Sequence, residues 1–266
     1  MDELEGLLRG CVGIVSEAGN IIREAWNRPR NIRFKGATDL VTETDVAVES
    51  FLVERLGRLL PGSEFLAEEG HAGAAPTGSN CWIIDPVDGT TNFVHHIPQV
   101  GISVGLWRGG EVVLGVIGVP MLDECYWARK GGGAFLSGKP VAVSSEDRLV
   151  GALVGTGFPC DSDGQIGALT GRMGRVLPAT QGVRRIGAAS VDLAYVACGR
   201  LDAFYEAGLK PWDMAAGCLL VEEAGGRVSD MDGGPMRLGA PVLATNGRLH
   251  DAMTALLREP AWSKSS

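Results

Sequence analysis

The chain has 266 residues, of which 45% are hydrophobic and 21% charged, enough for a large core in one or two lobes. The formal net charge of −8 at pH 7 argues against a nucleic-acid surface, where Lys and Arg would cluster. The acidic start Met1-Asp2-Glu3 and the shortness of the apolar runs predict neither a signal peptide nor a membrane helix. The six cysteines are scattered without C-x-x-C spacing, so we expect reduced thiols in a cytoplasmic protein.

Two amphipathic helices are predicted in the first part of the chain. Apolar residues recur at helical spacing from Leu4 to Ile22. A second such pattern runs from about Asp45 to Leu60, where Pro61-Gly62 ends it.

A β-meander is predicted next, from three apolar runs separated by turn residues: Val100–Leu106, Val112–Ile117 and Glu124–Ala128. The triplet Gly131-Gly132-Gly133 follows the last run. Neither a G-x-x-x-x-G-K-[ST] pattern nor a strand-GxGxxG-helix context surrounds it, so we interpret it as a turn and not as a phosphate loop.

The second half alternates strands and helices, with no internal repeat. The predicted strands are Leu149–Thr156, Ala203–Glu206, a short one at Val228, and Val242–Ala244. The predicted helices are Gln165–Val176, Ala188–Cys198, Trp212–Ala224 and Gly247–Leu257.

The most informative segment begins with the apolar run Trp82-Ile83-Ile84, which suits a buried strand. Pro86 holds Asp85 in an extended conformation, so we expect this carboxylate to project from the end of the strand, with Asp88 one turn later. Two carboxylates this close repel each other unless a cation lies between them.

A helix start follows the two aspartates. Gly89 permits a close backbone approach, and Thr90-Thr91-Asn92 is typical of a helix N-terminus with free amide groups. Carboxylates beside such amides would suit a metal-bound phosphate. The alternative interpretation is a capped surface turn, because Asp and Gly are common turn residues.

Three further acidic segments are not specific when taken alone. Glu68-Glu69 ends a second apolar stretch that begins at Glu64, and Asp45 ends the polar segment from Thr38. Asp213 lies on the first turn of a predicted helix, where an acidic residue complements the helix dipole.

Taken together, these segments resemble the inositol monophosphatase family from about Leu4 to about Leu257, with the two signatures Asp85-Pro86-Val87-Asp88-Gly89-Thr90 and Trp212-Asp213-x-Ala215-Ala216-Gly217. The resemblance implies a mixed α+β and α/β fold, a layered αβαβα sandwich of the inositol monophosphatase and fructose-1,6-bisphosphatase type. An N-terminal α+β lobe (1–140) would carry most metal ligands. A C-terminal α/β lobe (141–266) would carry Asp213 and the residues that select substrate.

The same resemblance implies a role for each site residue. The implied metal ligands are Glu68, Asp85, the backbone carbonyl of Val87, Asp88 and Asp213. The implied catalytic residues are Glu68, which a third and weaker ion would share, and Asp45 and Thr90, which would orient the attacking water. The implied substrate-binding residues are Asp88, Gly89, Thr90, Ala189, Glu206 and Asp213.

Magnesium is the cofactor that these residue types favour. Oxygen ligands suit a small hard cation that retains several waters, and the sequence has no His or Cys cluster that would favour zinc. We therefore expect two or three Mg²⁺ ions at the site and, from the resemblance, inhibition by lithium. Bound ions would invert the acidic local potential in favour of an anionic substrate, and their chemistry needs no covalent phosphoenzyme.

Substrate choice depends on residues outside the signatures. Members of the family that act on inositol phosphates bind ring hydroxyls at the position of Glu206, although an exposed strand-end glutamate is the alternative. Arg184 and Arg185 could bind a second phosphate, but pairing with surface acids is the favoured interpretation. Lys35 lies in a segment that resembles a mobile metal-site loop, and Gly70 stands where the family frequently has a hydroxyl residue.

Two classes of function are therefore predicted. The first is a magnesium-dependent phosphomonoesterase that hydrolyses inositol 1-phosphate or a similar small polyol or sugar phosphate, with fructose 1,6-bisphosphate and histidinol phosphate as alternatives. The second is a non-catalytic role in a transcription complex, which some bacterial relatives have, although the charge of −8 weakens direct contact with nucleic acid. The resemblance also implies a homodimer.

Overall fold

A computed structural model of the chain describes residues 3–28, 32–34, 40–70, 76, 79–158 and 166–258. Its helices are α1 (Glu3–Ala25), α2 (Glu43–Leu59), α3 (Thr90–Val94), α4 (Ile166–Ala179), α5 (Ala189–Ala197), α6 (Pro211–Glu223) and α7 (His250–Arg258). Its strands are β1 (Ile32–Phe34), β2 (Leu40–Thr42), β3 (Glu64–Ala67), β4 (Asn80–Asp88), β5 (Gly101–Arg108), β6 (Glu111–Val119), β7 (Glu124–Arg129), β8 (Ala134–Leu136), β9 (Lys139–Val141), β10 (Leu153–Thr156), β11 (Gly182–Arg184), β12 (Ala203–Glu206), β13 (Arg227–Ser229) and β14 (Val242–Thr245).

The larger sheet has seven strands in the order β3-β4-β5-β6-β7-β8-β9. Strands β4 to β9 follow one another as an antiparallel meander, which confirms the predicted meander. Edge strand β3 pairs parallel with β4, so the carboxyl ends of these two strands meet at one edge of the sheet. The glycine triplet forms the turn between β7 and β8, as predicted.

The smaller sheet has five strands in the order β11-β10-β12-β14-β13. Strand β10 is parallel to both of its neighbours, while β14 is antiparallel to β12 and β13. Strand β12 begins and ends as predicted. The predicted strand Leu149–Thr156 is shorter, because neighbouring strands pair only from Leu153 onwards, and Leu149–Gly151 forms a 3₁₀ helix instead.

Helices and sheets stack in five layers. Helices α1 and α2 cover the outer face of the larger sheet, α5 and α6 lie between the two sheets, and α4 and α7 cover the outer face of the smaller sheet. This is the predicted αβαβα sandwich. The division into lobes at residue 140 stays a prediction, although all larger-sheet strands precede those of the smaller sheet.

Other features of the described residues agree with the composition. None of the helices is long and apolar enough to cross a membrane within the described ranges. The thiols of Cys11, Cys81, Cys125, Cys198 and Cys218 are free. Cys160 lies outside the described residues.

Helix α6 sits unusually close to the larger sheet because glycines face it. A Cβ atom added at Gly115 would lie 2.8 Å from the carbonyl oxygen of Ala216, and one at Gly105 would lie 3.3 Å from the Cβ of Ala215. The contact at Gly115 involves helix backbone, which cannot rotate away as a side chain can. The distance between the larger sheet and α6, the helix that carries Asp213, therefore depends on Gly115.

We expect Gly115→Ala to lower stability by about 1–3 kcal/mol, because the new methyl group overpacks the α6 interface. The melting temperature should fall by roughly 2–10 °C. Gly13→Ala is the matched control, since Gly13 lies within α1 with open space around its Cβ position. Alanine should there stabilise the helix by roughly 0.5–1 kcal/mol. Equal melting shifts for the two variants would contradict the packing argument.

Candidate active site

A β-bulge places the two aspartates of the first signature. We expected β4 to end at Asp85, but the strand continues to Asp88. It has one extra residue relative to β5, since Asp85 pairs with Ser103 and Asp88 with Gly101. Residues three apart in a regular strand point to opposite faces, and the bulge removes this constraint. Both side chains are buried, and each has its pKa raised, which for Asp85 comes partly from the charge of Asp88.

Glu68 lies beside Asp85 because of the parallel pairing. Ala67 is the partner of Ile84 in the β3–β4 ladder, so the next residues along the two strands are Glu68 and Asp85. Burial is the largest cause of the raised pKa of Asp85, and the charge of Glu68 is the next largest. The backbone N–H of Val87 donates to Asp85 Oδ1 at 3.1 Å and partly offsets the burial of this carboxylate.

Asp88 joins the two sheets through helix α5. Its Oδ2 accepts from the backbone N–H of Ser190 at 2.7 Å and from the Ser190 hydroxyl at 2.5 Å. Because the N-cap residue Ala188 has no side-chain acceptor, Asp88 acts in its place and also lies at the positive end of the helix dipole. These hydrogen bonds favour the carboxylate, but burial outweighs them and leaves its pKa raised.

Asp213 takes part in capping α6 and also lies among the other acids, while its role as a metal ligand stays a prediction. Its Oδ2 accepts from the backbone N–H of Lys210 at 2.6 Å, which makes it part of the capping arrangement at the start of α6. Its pKa is also raised well above the usual range, first by burial and then by the charge of Asp88, with Glu68 contributing. Helix capping therefore fixes this carboxylate next to the acids of the larger sheet.

Asp45 and Thr90 are hydrogen-bonded partners, as their shared predicted role requires. Asp45 Oδ2 accepts from the N–H of Thr42 at 3.0 Å and from its hydroxyl at 2.5 Å. The Thr90 hydroxyl lies 2.8 Å from Asp45 Oδ1 and 3.0 Å from the carbonyl oxygen of Val87, so its single proton can serve either acceptor. Burial raises the pKa of Asp45 despite these hydrogen bonds.

These acids fit a cation that keeps much of its own water. Within the described ranges, no three His, Cys, Asp or Glu side chains form a ready-made cage for a metal ion. Asp85, Asp88 and Asp213 each use one carboxylate oxygen for a backbone N–H. Their mutual repulsion would be relieved by a cation that takes one or two carboxylates and fills its remaining positions with water or phosphate.

A second acidic group lies on the smaller sheet. Glu206 is 9% exposed, and burial together with the charge of Asp88 raises its pKa to about 8. Its carboxylate lies over Gly157, where a Cβ atom would come within 2.0 Å of Glu206 Oε2. Asp192 on α5 is also buried, and its Oδ1 has no hydrogen-bond partner among the described residues. Burial and then the charge of Glu206 raise its pKa well above the usual range.

The remaining predicted residues lie at different distances from this centre. Gly89 has a left-handed φ of 90° at the start of α3, and buried Ala189 begins α5 next to Ser190. Arg184 is exposed and donates to a backbone carbonyl. Arg185 is also exposed but lies over the ring of Phe158, and its charge partly offsets the rise in the pKa of Glu206 and Asp192.

Two of the sequence interpretations are changed by these positions. Glu206 is not an exposed strand-end residue, and Arg185 acts on buried carboxylates and not on surface acids. Lys35 lies outside the described residues. Ser190 was missed by the sequence analysis, since a serine in the first turn of a helix is common and its partner lies 102 residues away.

Comparisons with known proteins agree with this geometry. The inositol monophosphatase family model matches residues 3–263. A Mesorhizobium japonicum protein named inositol-1-monophosphatase is 40% identical over 257 residues, which is 96% of this chain and 97% of the relative. The solved inositol monophosphatase from Anabaena (Nostoc) has a TM-score of 0.89 at 35% identity, covering 98% of this chain and 99% of that one. The extragenic suppressor protein suhB from Bartonella henselae has a TM-score of 0.90 at 34% identity, covering 94% and 98%.

The five-layer fold and these matches are those of a phosphatase from a metal-dependent class. The chain belongs to the inositol monophosphatase family.

We expect the metal-free protein to lose stability as pH rises from about 6.5 to about 8. Burial and Asp88 raise the pKa of Glu206 from 4.5 to about 8, so the folded state binds more protons than the unfolded state across this range. The expected loss from Glu206 is roughly 1–2 kcal/mol. His250 has a pKa lowered to about 4 and is neutral throughout this range in the folded state.

The measurement is denaturant unfolding in chelator at both pH values. Glu206→Gln should flatten the dependence, while Glu54→Gln should not, because Glu54 is an exposed partner of Arg58. A Glu206→Gln slope equal to that of the wild type would contradict the assignment.

Proposed function

We propose that the protein is a magnesium-dependent phosphomonoesterase that hydrolyses inositol 1-phosphate or a similar small polyol or sugar phosphate. The observation that carries this proposal is the convergence of Glu68, Asp85, Asp88 and Asp213: after burial, the charges of the neighbouring acids raise the pKa values of Asp85 and Asp213. A group of acids that are buried or partly buried favours bound cations, and these cations would offset the repulsion between the acids and a phosphoryl group. The inositol-1-monophosphatase name of the Mesorhizobium japonicum relative supports the substrate.

The acids would share two or three magnesium ions. Glu68, Asp85 and the carbonyl of Val87 would hold one ion, and Asp85, Asp88 and Asp213 a second, with Glu68 also available to a third. When bound, the ions supply charge neutralisation on the phosphoryl oxygens and a lower pKa for water. Lithium inhibition follows from the same arrangement by resemblance.

Asp45 and Thr90 would move the proton of the attacking water. Thr90 Oγ1 lies 2.8 Å from Asp45 Oδ1, so the hydroxyl can pass its proton to that oxygen while it accepts one from water. Burial raises the pKa of Asp45, which makes it a better proton acceptor than an exposed aspartate. The amides of Gly89 and Thr90 would bind the phosphate.

Glu206 and Ala189 would face the organic part of the substrate. Burial and the charge of Asp88 raise the pKa of Glu206 in the metal-free protein, and bound cations would offset the charge of Asp88. An ionised Glu206 could then accept hydrogen bonds from a polyol and would be left as an unpaired charge by a substrate that lacks those hydroxyls. Arg185 favours a second candidate, fructose 1,6-bisphosphate, because its guanidinium acts on Glu206 and could bind a second phosphate. Histidinol phosphate is a weaker alternative within the same chemistry, and a transcription role is the alternative outside it. The homodimer and the cytoplasmic location stay predictions.

We expect Asp213→Asn to reduce magnesium-dependent phosphate release at least about a hundredfold. Asparagine keeps an oxygen that can accept from the Lys210 N–H, so the start of α6 should survive within about 1 kcal/mol. The melting temperature in chelator should rise, because the substitution removes one negative charge from a group of carboxylates that repel each other. Asp251→Asn is the matched control, since Asp251 is an acidic residue in the first turn of α7 and is exposed. Near-normal turnover of Asp213→Asn would contradict the assignment of Asp213 as a metal ligand.

We expect Glu206→Gln to change the ranking of substrates more than the rate of the chemical step. The assay compares kcat/KM for inositol 1-phosphate, fructose 1,6-bisphosphate and histidinol phosphate at saturating magnesium. The preference for the polyol should fall by roughly tenfold or more, since a neutral amide is a weaker acceptor for several hydroxyls. An equal loss on all three esters would count against this role. Absence of magnesium-dependent release from every ester in the wild type would reject the proposed function.

A further inference from the structure

A buried glutamate on α2 binds the chain directly after Glu68. Glu49 is 4% exposed and accepts from the backbone N–H of Glu69 at 2.7 Å through Oε2 and from that of Gly70 at 2.7 Å through Oε1. Both hydrogen bonds are charge-assisted, which roughly doubles their strength over neutral ones. One carboxylate therefore holds two consecutive peptide units.

These peptide units belong to a segment that the sheet does not hold. Strand β3 ends at Ala67 and is an edge strand, with β4 as its one sheet neighbour among the described strands. Glu68 is the first residue beyond the strand, and its position beside Asp85 follows from the β3–β4 register only if the chain continues in line. Glu49 restrains the segment directly after Glu68 through its two hydrogen bonds.

Helix α2 carries this glutamate at a defined place relative to the site. Asp45 and Glu49 are four residues apart and lie on the same buried face of the helix. Asp45 contacts Thr90 on the α3 side, while Glu49 contacts the segment after β3. One rigid helix thus sets the distance between the two sides of the acidic cluster.

We propose that Glu49 is a positioning residue that fixes Glu68 for metal binding, an inference that rests on the proposed magnesium site. Gly70 is its counterpart: a Cβ atom at this position would lie 2.9 Å from Glu49 Oε1, so glycine permits the close approach of the carboxylate. A glutamine at position 49 has a single acceptor oxygen and would turn its NH₂ group towards the second backbone N–H.

The test compares Glu49→Gln with Glu54→Gln, a control on the exposed face of the same helix. Three quantities are measured: hydrogen exchange of the peptide that contains Glu69 and Gly70 in chelator, magnesium affinity by calorimetry, and magnesium-dependent phosphate release. For Glu49→Gln we expect exchange at least about tenfold faster and magnesium affinity weaker by about 10–100-fold. Turnover should recover to within about threefold at saturating magnesium, and the melting temperature in chelator should change by only a few degrees. Glu54→Gln should match the wild type throughout.

Gly70→Ala provides a second variant that leaves Glu49 in place. Its methyl group should displace the carboxylate and weaken magnesium affinity by roughly 3–10-fold, in the same direction as the glutamine substitution. Unchanged magnesium affinity in both variants would overturn the proposal, as would a purely thermal destabilisation.

The failure of this role and the failure of the proposed function give different results. A wild-type protein that binds magnesium but hydrolyses no phosphomonoester would reject the function and leave the Glu49 comparison decisive. An active wild type whose exchange and magnesium affinity are matched by Glu49→Gln would reject only the positioning role.

Discussion

Repulsion among buried carboxylates is the constraint on which the rest of this structure depends. Burial is the largest cause of the raised pKa of Asp85 and of Asp213, and the charges of the neighbouring acids add to the cost of keeping them ionised. Such a group is tolerated only where the surrounding fold determines its geometry. The five-layer core supplies that determination, with helices α5 and α6 packed between two sheets.

The scaffold satisfies the acids by giving each of them a hydrogen-bond donor from the backbone. Asp85 uses its own bulge, Asp88 uses the first turn of α5, and Asp213 uses the start of α6. These donors come from elements far apart in sequence, so the site exists only when both sheets are assembled. The close approach of α6 to the larger sheet at Gly115 also contributes to the assembly of the site, because α6 carries Asp213 towards the acids of β4.

The sequence predicts regular elements better than it predicts how they meet. Periodicity located α2 and all four residues of β12, since a buried helix face and a short apolar strand are local signals. The resemblance named the acids of the site, but the β4 bulge was missed, because pairing offset is a property of two strands and not of one. Ser190 and Glu49 were missed for a related reason. Their partners lie 102 and 20 residues away, and a polar residue within an apolar helix pattern does not reveal what it contacts.

The backbone donors also bear on which kind of cation the site can take. Each of the three aspartates gives one oxygen to an N–H group, which fixes the rotation of the carboxylate and leaves the other oxygen for a ligand. A calcium site with six to eight oxygen ligands commonly uses both oxygens of a carboxylate, whereas magnesium takes one or two carboxylates and keeps several waters. One unshared oxygen on each aspartate supports the proposed magnesium ions, because it limits the number of protein ligands and leaves positions for water that a phosphate could replace. The same hydrogen bonds that make the repulsion tolerable thus limit the coordination that the acids can offer.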